Sequence, residues 1–539
     1  MSFAIYLPCT VGAILVSLRI LAQIELWQRK EYRWDRLRSL LFSEENRVLF
    51  PSGLLVGMIL LDIGWLASIM GQDAGANMLG WSSLFLFLGQ DIVRIRARGL
   101  YRPEFTLRAL LILGLAALLT LLYILTVFIP ETQLALQWAT LVVFMPVITA
   151  SSVIGVNIPA KLRQRSIIAR AASWRARLTK LTVLGITGSF GKTSTKYFLS
   201  QLFSNRYDVA TTTDHRNSAL AVAYDMLAQL TPKTKIYIAE MGAYRRGEIK
   251  ELAELTRPKI GLITNIGNQH AALFGSSTQI LRTKWELIET LPVGGTAVLN
   301  ANDERQVEQA KGISQKIIWF STRPERKANL SQPVTVFVDQ VKIAPRSLAC
   351  ILHLHKIKKP ITVNLLSDAM LTSLVAAAAG ALALGLPPKE IFARIPTLHS
   401  YARTMELRNN RFGATIIDDS YSANEPGAQN AIEHLARFAE NKKIIILAPL
   451  IELGPEAAAV HHRLGAILAA SRAQVYITAK TYLNSIIEGG RQVNKDFKPH
   501  VYSQPRLLAQ VLRQRVTADS VVLIEGRVPE IVRMSVLNP

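Results

Sequence analysis

Long apolar runs fill the first 160 residues, whereas shorter apolar runs alternate with amphipathic segments in the rest of the chain. A run of about 20 residues with few charges is long enough to cross a bilayer as a helix. We therefore predict an α-helical membrane domain over residues 1–160. Its five spans lie at about 3–25, 52–71, 79–94, 108–129 and 134–157, the third being short and interrupted by Gln90 and Asp91.

The basic residues of this region predict its orientation. They cluster in alternate loops, and the loops 72–77 and 130–132 contain neither Lys nor Arg. Because cytoplasmic loops carry an excess of basic residues, the N-terminus is expected outside and the rest of the chain in the cytoplasm, as in a multi-pass cell-membrane protein. The three clusters are Arg29, Lys30, Arg33, Arg36, Arg38 and Arg47; Arg94, Arg96, Arg98 and Arg102; and Lys161, Arg163 and Arg165.

From Lys180 onward, short apolar segments such as 236–239 and 260–264 alternate with helical patterns. Apolar strands that alternate with helices are typical of a doubly wound, mostly parallel sheet with its ligands at the carboxyl ends of the strands. The second part of the chain is therefore predicted to be α/β.

Composition narrows the choice of partners. The formal net charge is +23, and the mean hydropathy is +0.23. The basic residues lie beside apolar runs and form no aromatic-interleaved module, so we expect contact with anionic membrane lipids and not with nucleic acid. Two cysteines, Cys9 and Cys350, cannot form a disulfide framework and lack metal-ligand spacing.

The most informative motif is a glycine-rich turn after an apolar strand that begins at Val183. It reads Gly188-Ser-Phe-Gly-Lys-Thr-Ser194, and Ile186 occupies the place of the first glycine of the common Walker form. In such a turn, backbone N–H groups converge on phosphate oxygens, a lysine reaches the terminal phosphates and a hydroxyl ligates Mg²⁺. The turn predicts ATP and Mg²⁺, with phosphate contacts from Gly188, Ser189, Gly191, Lys192, Thr193 and Ser194.

Two further strands end in polar side chains. Glu240 closes one strand and His270 follows the next, which brings a carboxylate and an imidazole toward the phosphate turn. Lys284 lies on the following amphipathic segment. Each is weak evidence alone, but together they form a recognisable set.

In order and spacing, these strings resemble the Mur ligase family over roughly residues 181–535, and most closely its branch that adds D-alanyl-D-alanine to the muramoyl tripeptide. The resemblance implies a P-loop central domain over 161–397 and a Rossmann-like C-terminal domain over 398–539. The matching strings are 186–194, Glu240-Met-Gly-Ala243, Thr264-Asn-Ile-Gly267, Val298-Leu-Asn-Ala-Asn-Asp303, Arg403, Asp418-Asp-Ser-Tyr-Ser-Ala-Asn424, Glu452-Leu-Gly454, His461 and Gly526-Arg527.

The resemblance also implies a role for each matching residue. Lys192 would bind the γ-phosphate, and Lys284 falls where the family carries a carbamylated lysine that supports a second metal; an ordinary surface lysine is the alternative. Arg403 would lie near the phosphates after domain closure. The remaining roles are metal binding for Thr193, Glu240 and His270, adenine contact for Asn300, ribose contact for Asp418, an acceptor-side position for Asn217, and amino-substrate contacts for Ser422, Asn424 and His461.

The implied activity is ATP-dependent joining of a carboxylate to an amine in peptidoglycan or envelope-polymer synthesis. Metal ions and Lys192 would neutralise the repulsion between a carboxylate and the triphosphate, so that the carboxylate attacks the γ-phosphorus. The amine would then attack the resulting acyl phosphate, with phosphate leaving. Domain closure would exclude water.

Several strings depart from the family pattern. The usual Gly-x-His-Asn-x-x-Asn, Gly-Asp-Met and Lys-Gly-Ser-Arg strings are replaced by 367–373, Ala448-Pro-Leu450 and Glu525-Gly-Arg527. The five apolar runs stand where the family carries a domain that grips uridine diphosphate. Either the membrane domain presents a lipid-linked acceptor, or it only tethers the enzyme beside other envelope-synthesis proteins. A nucleotide-binding scaffold or sensor and an ATP-driven transporter are the other functions that stay open.

Overall fold

The structure is a computed structural model, and it divides into two compact units, residues 1–166 and 167–539. The described residues are 2–29, 32, 52–98, 103–126, 133–204, 207–213, 216–243, 245–267, 277–323, 330, 333–421, 424–440, 442–451, 453 and 456–538.

The first unit is helical, and every predicted apolar run forms a helix. The last helix continues beyond residue 160, so the predicted domain boundary lies inside it. Apolar residues such as Leu15, Phe87, Ile112 and Met145 fill the core of the unit. The helices are α1 (Ser2–Arg29), α2 (Ser52–Ile69), α3 (Asp73–Arg98), α4 (Leu107–Thr126) and α5 (Leu134–Arg177).

Three helices in the described part of the chain are long and apolar enough to cross a membrane, compared with five predicted spans. They are Tyr6–Gln28, Leu107–Thr126 and Leu134–Arg177. The apolar part of α2 is shorter, and α3 carries Asp91 and several arginines in its second half. Large apolar side chains such as Leu118 and Leu125 of α4 point outward, with 59% and 72% of their surface exposed.

The second unit begins with a nine-stranded sheet over the described residues, in the order β2-β3-β1-β4-β5-β6-β7-β8-β9. The first seven of these strands pair in parallel, and β8 and β9 add antiparallel strands at one edge. The strands are β1 (Thr182–Thr187), β2 (Val209–Thr211), β3 (Ile236–Glu240), β4 (Ile260–Ile263), β5 (Thr296–Asn300), β6 (Lys316–Ser321), β7 (Val336–Ile343), β8 (Leu348–Leu354) and β9 (Ile357–Val363).

Helices cover both faces of this sheet, which is why its central strands are apolar throughout. Gly380 lets one helix approach closely, since a Cβ there would lie 3.2 Å from carbon atoms of both Leu199 and Leu262. The helices are α6 (Lys192–Phe203), α7 (Ala219–Gln229), α8 (Glu248–Thr256), α9 (Ser277–Glu289), α10 (Glu304–Gln309), α11 (Asp368–Ala383) and α12 (Pro388–Arg394).

Within the described residues of the C-terminal part, a six-stranded sheet follows in the order β10-β11-β15-β12-β13-β14, in which the edge strand β10 is antiparallel and the other strands pair in parallel. The α/β prediction for this half of the chain is therefore confirmed. The elements are β10 (Glu406–Asn409), β11 (Thr415–Asp419), α13 (Glu425–Leu435), β12 (Lys442–Leu447), α14 (Ala457–Ala470), β13 (Gln474–Ile477), α15 (Leu483–Val493), β14 (His500–Val501), α16 (Pro505–Arg515), β15 (Ser520–Glu525) and α17 (Glu530–Leu537).

Candidate active site

The glycine-rich turn joins the carboxyl end of β1 to the first residue of α6. Gly188 and Gly191 have φ angles of 148° and 80°, which non-glycine residues rarely adopt. A Cβ at Gly188 would also collide with the Thr264 side chain. Ser189 is fixed by its N–H, which donates to Asn265 O at 2.7 Å. The first N–H groups of α6, at Lys192, Thr193 and Ser194, have no intrahelical acceptors, so this turn is suited to bind phosphate.

The ammonium group of Lys192 lies against this turn. Its Nζ donates to Gly188 O at 2.9 Å and to Ser189 O at 3.2 Å. Burial lowers the pKa of Lys192, and the charge of Glu240 opposes that shift. A lysine in this position can exchange carbonyl contacts for phosphate oxygens without leaving the loop.

Thr193 and Glu240 form the oxygen-rich part of the site. Thr193 Oγ1 lies 3.1 and 3.2 Å from the two carboxylate oxygens of Glu240, which is 6% exposed at the end of β3. Mg²⁺ prefers oxygen ligands and is usually bound by one or two carboxylates together with substrate phosphates. The hydroxyl and carboxylate therefore fit a magnesium ion, although the described residues contain no cluster of three His, Cys, Asp or Glu side chains able to hold a metal.

Lys196 was missed by the sequence analysis. Its Nζ lies 3.3 Å from Glu240 Oε2 and donates to Thr212 O at 2.8 Å. Lys196 is one helical turn after Lys192, and this i, i+4 spacing was the available signal. The ion pair between Lys196 and Glu240 therefore fixes the Glu240 carboxylate from the side of α6.

Lys284 is buried on α9, with 4% of its surface exposed, so it is not an ordinary surface lysine. Burial lowers its pKa to about 7, and the charge of Lys192 acts in the same direction. Glu248 and Glu286 oppose the shift. A substantial fraction of this amine is therefore neutral near pH 7.

Asn217 lies beside the end of β3. Gly242 N donates to Asn217 O at 3.0 Å, and a Cβ on Gly242 would lie 2.6 Å from Asn217 Cγ. A side chain at position 242, two residues after Glu240, would therefore clash with Asn217, which packs against the glycine. The structure brings Asn217, Glu240, Thr193 and Lys192 to one edge of the sheet.

A pocket of about 480 Å³ lies next to this edge. Asn300 lines it, but its amide is already engaged, since Nδ2 donates to Asn265 Oδ1 at 2.8 Å and Oδ1 accepts from Asn302 N at 3.0 Å. Arg305 also lines the pocket and pairs with Asp303 at 2.8 Å. Adenine contact by Asn300 stays a prediction, and its side chain also shapes the loop that forms the pocket.

Arg403, in the turn that precedes β10, and Asp418, in β11, both contact Ser420. Arg403 Nε donates to Ser420 Oγ at 3.0 Å, and Asp418 Oδ1 accepts from Ser420 N at 3.2 Å. Asp418 is fully buried, and its second oxygen accepts from Arg533 at 2.8 Å. In this arrangement, ribose contact by Asp418 would require these partners to separate, and that role stays a prediction.

Two further predicted residues hold the local fold. Asn424 caps α13, because its Oδ1 accepts from Gly427 N at 2.9 Å. His461 is fully buried; its Nε2 accepts from Leu450 N at 3.0 Å and its Nδ1 lies 2.7 Å from Ala457 O. Burial lowers the pKa of His461, which fits a neutral ring held between backbone groups. His270 and Ser422 lie outside the described residues.

Fold and loop together define a nucleotide-binding α/β protein with two sheets. Two family models match it: the Mur ligase middle domain over residues 186–381, and the Mur ligase glutamate ligase domain over residues 403–528. Through these two domains, the chain belongs to the Mur ligase family. The predicted family is confirmed.

Curated relatives agree with this assignment. The UDP-N-acetylmuramoyl-tripeptide--D-alanyl-D-alanine ligase of Mycobacterium bovis is 32% identical over 291 residues, which cover 53% of this chain and 56% of that protein. The ligase of the same name from Bacillus subtilis is 25% identical over 367 residues, covering 66% and 76%. The chain thus spans little more than half the length of the first curated relatives that it matches.

Solved structures share the fold. MurF from Acinetobacter baumannii gives a TM-score of 0.61 at 23% identity, covering 69% of this chain and 79% of that one. The MurF ligase of Thermotoga maritima, solved in complex with ADP, gives a TM-score of 0.59 at 23% identity, covering 69% and 84%. At this level of identity, the likeness concerns the fold alone.

Proposed function

We propose that this protein is an ATP-dependent ligase that joins a carboxylate to an amine through an acyl phosphate, in the synthesis of peptidoglycan or envelope-polymer precursors. The observation that carries the proposal is the group formed by Lys192, Thr193 and Glu240 at the phosphate-binding turn, with the buried Lys284 on α9. The curated relatives named as ligases support the same reaction class.

In the first step, the formation of the acyl phosphate, each site residue has a different role. The turn and the N-terminus of α6 bind the phosphates, and Lys192 neutralises charge on the γ-phosphate as the carboxylate approaches. Thr193 and Glu240, together with His270, would hold Mg²⁺, which supplies electrostatic stabilisation of the transferring phosphoryl group. Arg403 would add a positive charge from the C-terminal part when the domains close.

Lys284 has a separate proposed role. A carbamate forms when a neutral amine adds to carbon dioxide, and burial supplies that neutral amine near pH 7. The carbamylated side chain would be an anion, suited to a second metal ion. An unmodified Lys284 would instead be a partly protonated amine beside Lys192.

The helical unit supports a membrane location. We infer a multi-pass protein with its N-terminus outside and its ligase domains in the cytoplasm, from the three long apolar helices and the outward apolar side chains of α4. In this setting, the carboxylate acceptor is lipid-linked and is held at the membrane surface. A simple tether beside other envelope-synthesis proteins is the competing role of these helices.

The reaction is tested by supplying the purified full chain with ATP, a membrane extract as the source of the acid, and candidate amines such as D-alanyl-D-alanine. We expect ADP and phosphate only when both acid and amine are present, and a product whose mass equals their sum minus water. Turnover that needs neither would indicate transport, and an absence of turnover would indicate a scaffold or sensor.

Lys192→Ala should lower the turnover by at least about 100-fold, because the γ-phosphate loses its cation in a water-poor site. The matched control is Lys311→Ala, whose ammonium is exposed and pairs with Glu308 on the surface. Equal turnover by the two variants would refute the role of the phosphate-binding turn. Comparing soluble UDP-linked with lipid-linked acceptors then decides between substrate binding and tethering by the helical unit.

A further inference from the structure

Two buried carboxyl groups face each other at the carboxyl end of the second sheet. Asp419 ends β11 and Glu525 ends β15, and the parallel pairing places them opposite each other. Asp419 is 7% exposed and Glu525 is fully buried.

Such a pair is stable only if it carries a proton. An ionised carboxylate accepts hydrogen bonds and donates none, and two adjacent buried charges repel. In the described part of the chain, no donor reaches the Glu525 oxygens, so a protonated Glu525 carboxyl group can donate to Asp419. Burial, followed by the charge of Asp419, raises the pKa of Glu525 well above its usual value. Burial raises the pKa of Asp419 to about 7.

Asp419 also holds the turn that carries Arg403. Its Oδ1 accepts from Met405 N at 3.0 Å. Arg403 and Met405 have φ angles of 63° and 44°, in the left-handed region, where a non-glycine residue costs about 1–3 kcal/mol. Such a conformation persists only when its surroundings fix it. Further restraints on the turn include Arg403 N to Glu406 Oε2 at 2.9 Å and Tyr421 N to Arg403 O at 2.9 Å. The Arg403 side chain is also held by Ser420 Oγ, which accepts from its Nε at 3.0 Å.

We propose that Asp419 and Glu525 share one proton and act as positioning residues, which hold the Arg403 turn so that its guanidinium group can reach the nucleotide phosphates. This inference rests on the proposed function, which gives Arg403 its role. The guanidinium side chain is 36% exposed and is therefore accessible to a ligand. Asp419 acts on it through the backbone and does not touch the phosphates in this arrangement.

Among the described residues, the charged groups near the pair mostly form ion pairs with one another. Asp418 of β11 pairs with Arg533 of α17, and Arg533 also contacts Glu530. Strand β12 presents Leu447 opposite Glu525. The remaining groups are Arg403 and Glu406 in and after the turn, and His434, which is the one titratable side chain among the buried residues of α13 and which contacts Pro345 O.

The test measures the affinity of the full chain, in nanodiscs, for a nonhydrolysable ATP analogue by titration calorimetry between about pH 6 and pH 9. An ionised Asp419 is the stronger acceptor for Met405 N. Ionisation of Asp419 near pH 7 should therefore increase the affinity of the unaltered protein. Asp419→Asn keeps the acceptor but cannot ionise, so the affinity of the unaltered protein relative to that of Asp419→Asn should rise as the pH passes about 7. Lys284, whose pKa is also about 7, affects both proteins equally and cancels in this ratio.

Asp419→Ala removes the acceptor, and we expect a loss of about 10- to 100-fold in affinity, approaching that of Arg403→Ala, because a misplaced group loses its contact. Glu525→Gln keeps a permanent donor to Asp419, so its affinity should not decline at the alkaline end of the range. Glu488→Gln, an exposed isosteric change in the same domain, is the control. Circular dichroism of each variant separates loss of folding from loss of positioning.

The inference is overturned if Asp419→Ala binds like the unaltered protein with the same pH profile, or if Arg403→Ala leaves affinity unchanged. It is also overturned if the affinity of Asp419→Asn changes with pH as much as that of the unaltered protein. The readout requires no carboxylate or amine substrate. A protein that shows these affinities but makes no amide bond would refute the proposed reaction and leave the positioning role intact.

Discussion

At the scale of single residues, burial changes the protonation of two lysines of the candidate site. Lys192 and Lys284 both have lowered pKa values, with burial as the largest cause. Lys192 keeps carbonyl partners in the phosphate-binding turn, whereas Lys284 is placed among Lys192, Glu248 and Glu286. The same residue type therefore serves two different purposes within one site.

The lowered pKa of Lys284 predicts a pH-dependent stability. Its folded-state pKa of about 7 lies below the ordinary 10.5, so the unfolded chain binds more protons between these values. The contribution of Lys284 to the free energy of unfolding therefore rises with pH from about 7 to about 10.5. Thermal unfolding of the full chain in nanodiscs should show a midpoint that increases over this range.

Lys284→Gln should remove this part of the pH dependence, while Lys311→Gln, at an exposed position, should retain it. An identical pH profile for Lys284→Gln and the unaltered protein would contradict a neutral buried amine. The same variant should also lose any carbamate signal in ¹³C NMR after incubation with labelled bicarbonate.

Individual site residues were predictable where backbone and side chain act locally. The glycines of the turn, Lys192 and Thr193 follow from the string itself. Lys196 and Asp419 were not identified, because their roles depend on Glu240 and on Met405, which are distant in the sequence. The sequence analysis placed His461 on the amino-substrate side because of its position in a motif. In the structure, the His461 ring is buried between Leu450 N and Ala457 O, so it stabilises the local fold.

At the scale of elements, the relation between α8 and α9 connects the site to the sheet. Glu286 of α9 accepts hydrogen bonds from Gly247 N at 2.8 Å and Lys250 N at 3.1 Å, the first turn of α8. A carboxylate at a helix N-terminus satisfies free N–H groups and interacts favourably with the helix dipole. Glu286 also lies two residues from Lys284 and raises the pKa of that lysine.

Glu286→Ala should therefore lower the free energy of unfolding by about 1–3 kcal/mol, since two N–H groups lose a charged acceptor. It should also shift the pH dependence assigned to Lys284 to lower values, because an opposing charge is removed. The measurement is thermal and denaturant unfolding across pH. Glu289→Ala, an exposed change at the end of the same helix, is the control, and equal effects of the two would contradict this role.

Element prediction succeeded best where periodicity was strong. The alternation of apolar and amphipathic segments gave the parallel sheets, and the apolar runs gave the helices of the first unit. Three of the five predicted spans coincide with described helices that are long and apolar enough to cross a membrane, whereas α3 carries Asp91 and several arginines in its second half. The count of five spans stays a prediction. Asp91 is 2% exposed and lies 3.2 Å from Arg19 of α1, which a helix periodicity cannot show.

At the scale of the whole molecule, the proposal combines a helical unit with two α/β domains. Its orientation can be measured by single-cysteine labelling after Cys9 and Cys350 are replaced by serine. Gln72→Cys, between α2 and α3, should react with a membrane-impermeant maleimide in intact cells, because the loop without basic residues faces outward. Lys311→Cys, exposed in the ligase part, should react only after permeabilisation.

Labelling of both positions in intact cells would contradict a cytoplasmic ligase. Extraction of the protein from membranes by alkaline carbonate would contradict membrane spans altogether. Retention after that wash, together with the asymmetric labelling, is the outcome expected for the orientation inferred from Lys and Arg.

The sequence by itself determined the two-part organisation, the α/β class and the phosphate-binding turn, because these depend on short-range periodicity and on the conformational freedom of glycine. Only the tertiary structure decided which charges are buried together. Glu240 with Lys196, Lys284 near Lys192, and Asp419 beside Glu525 each join residues that are far apart or on different strands. Protonation depends on such neighbours and on exclusion of water, and neither is encoded in local sequence pattern.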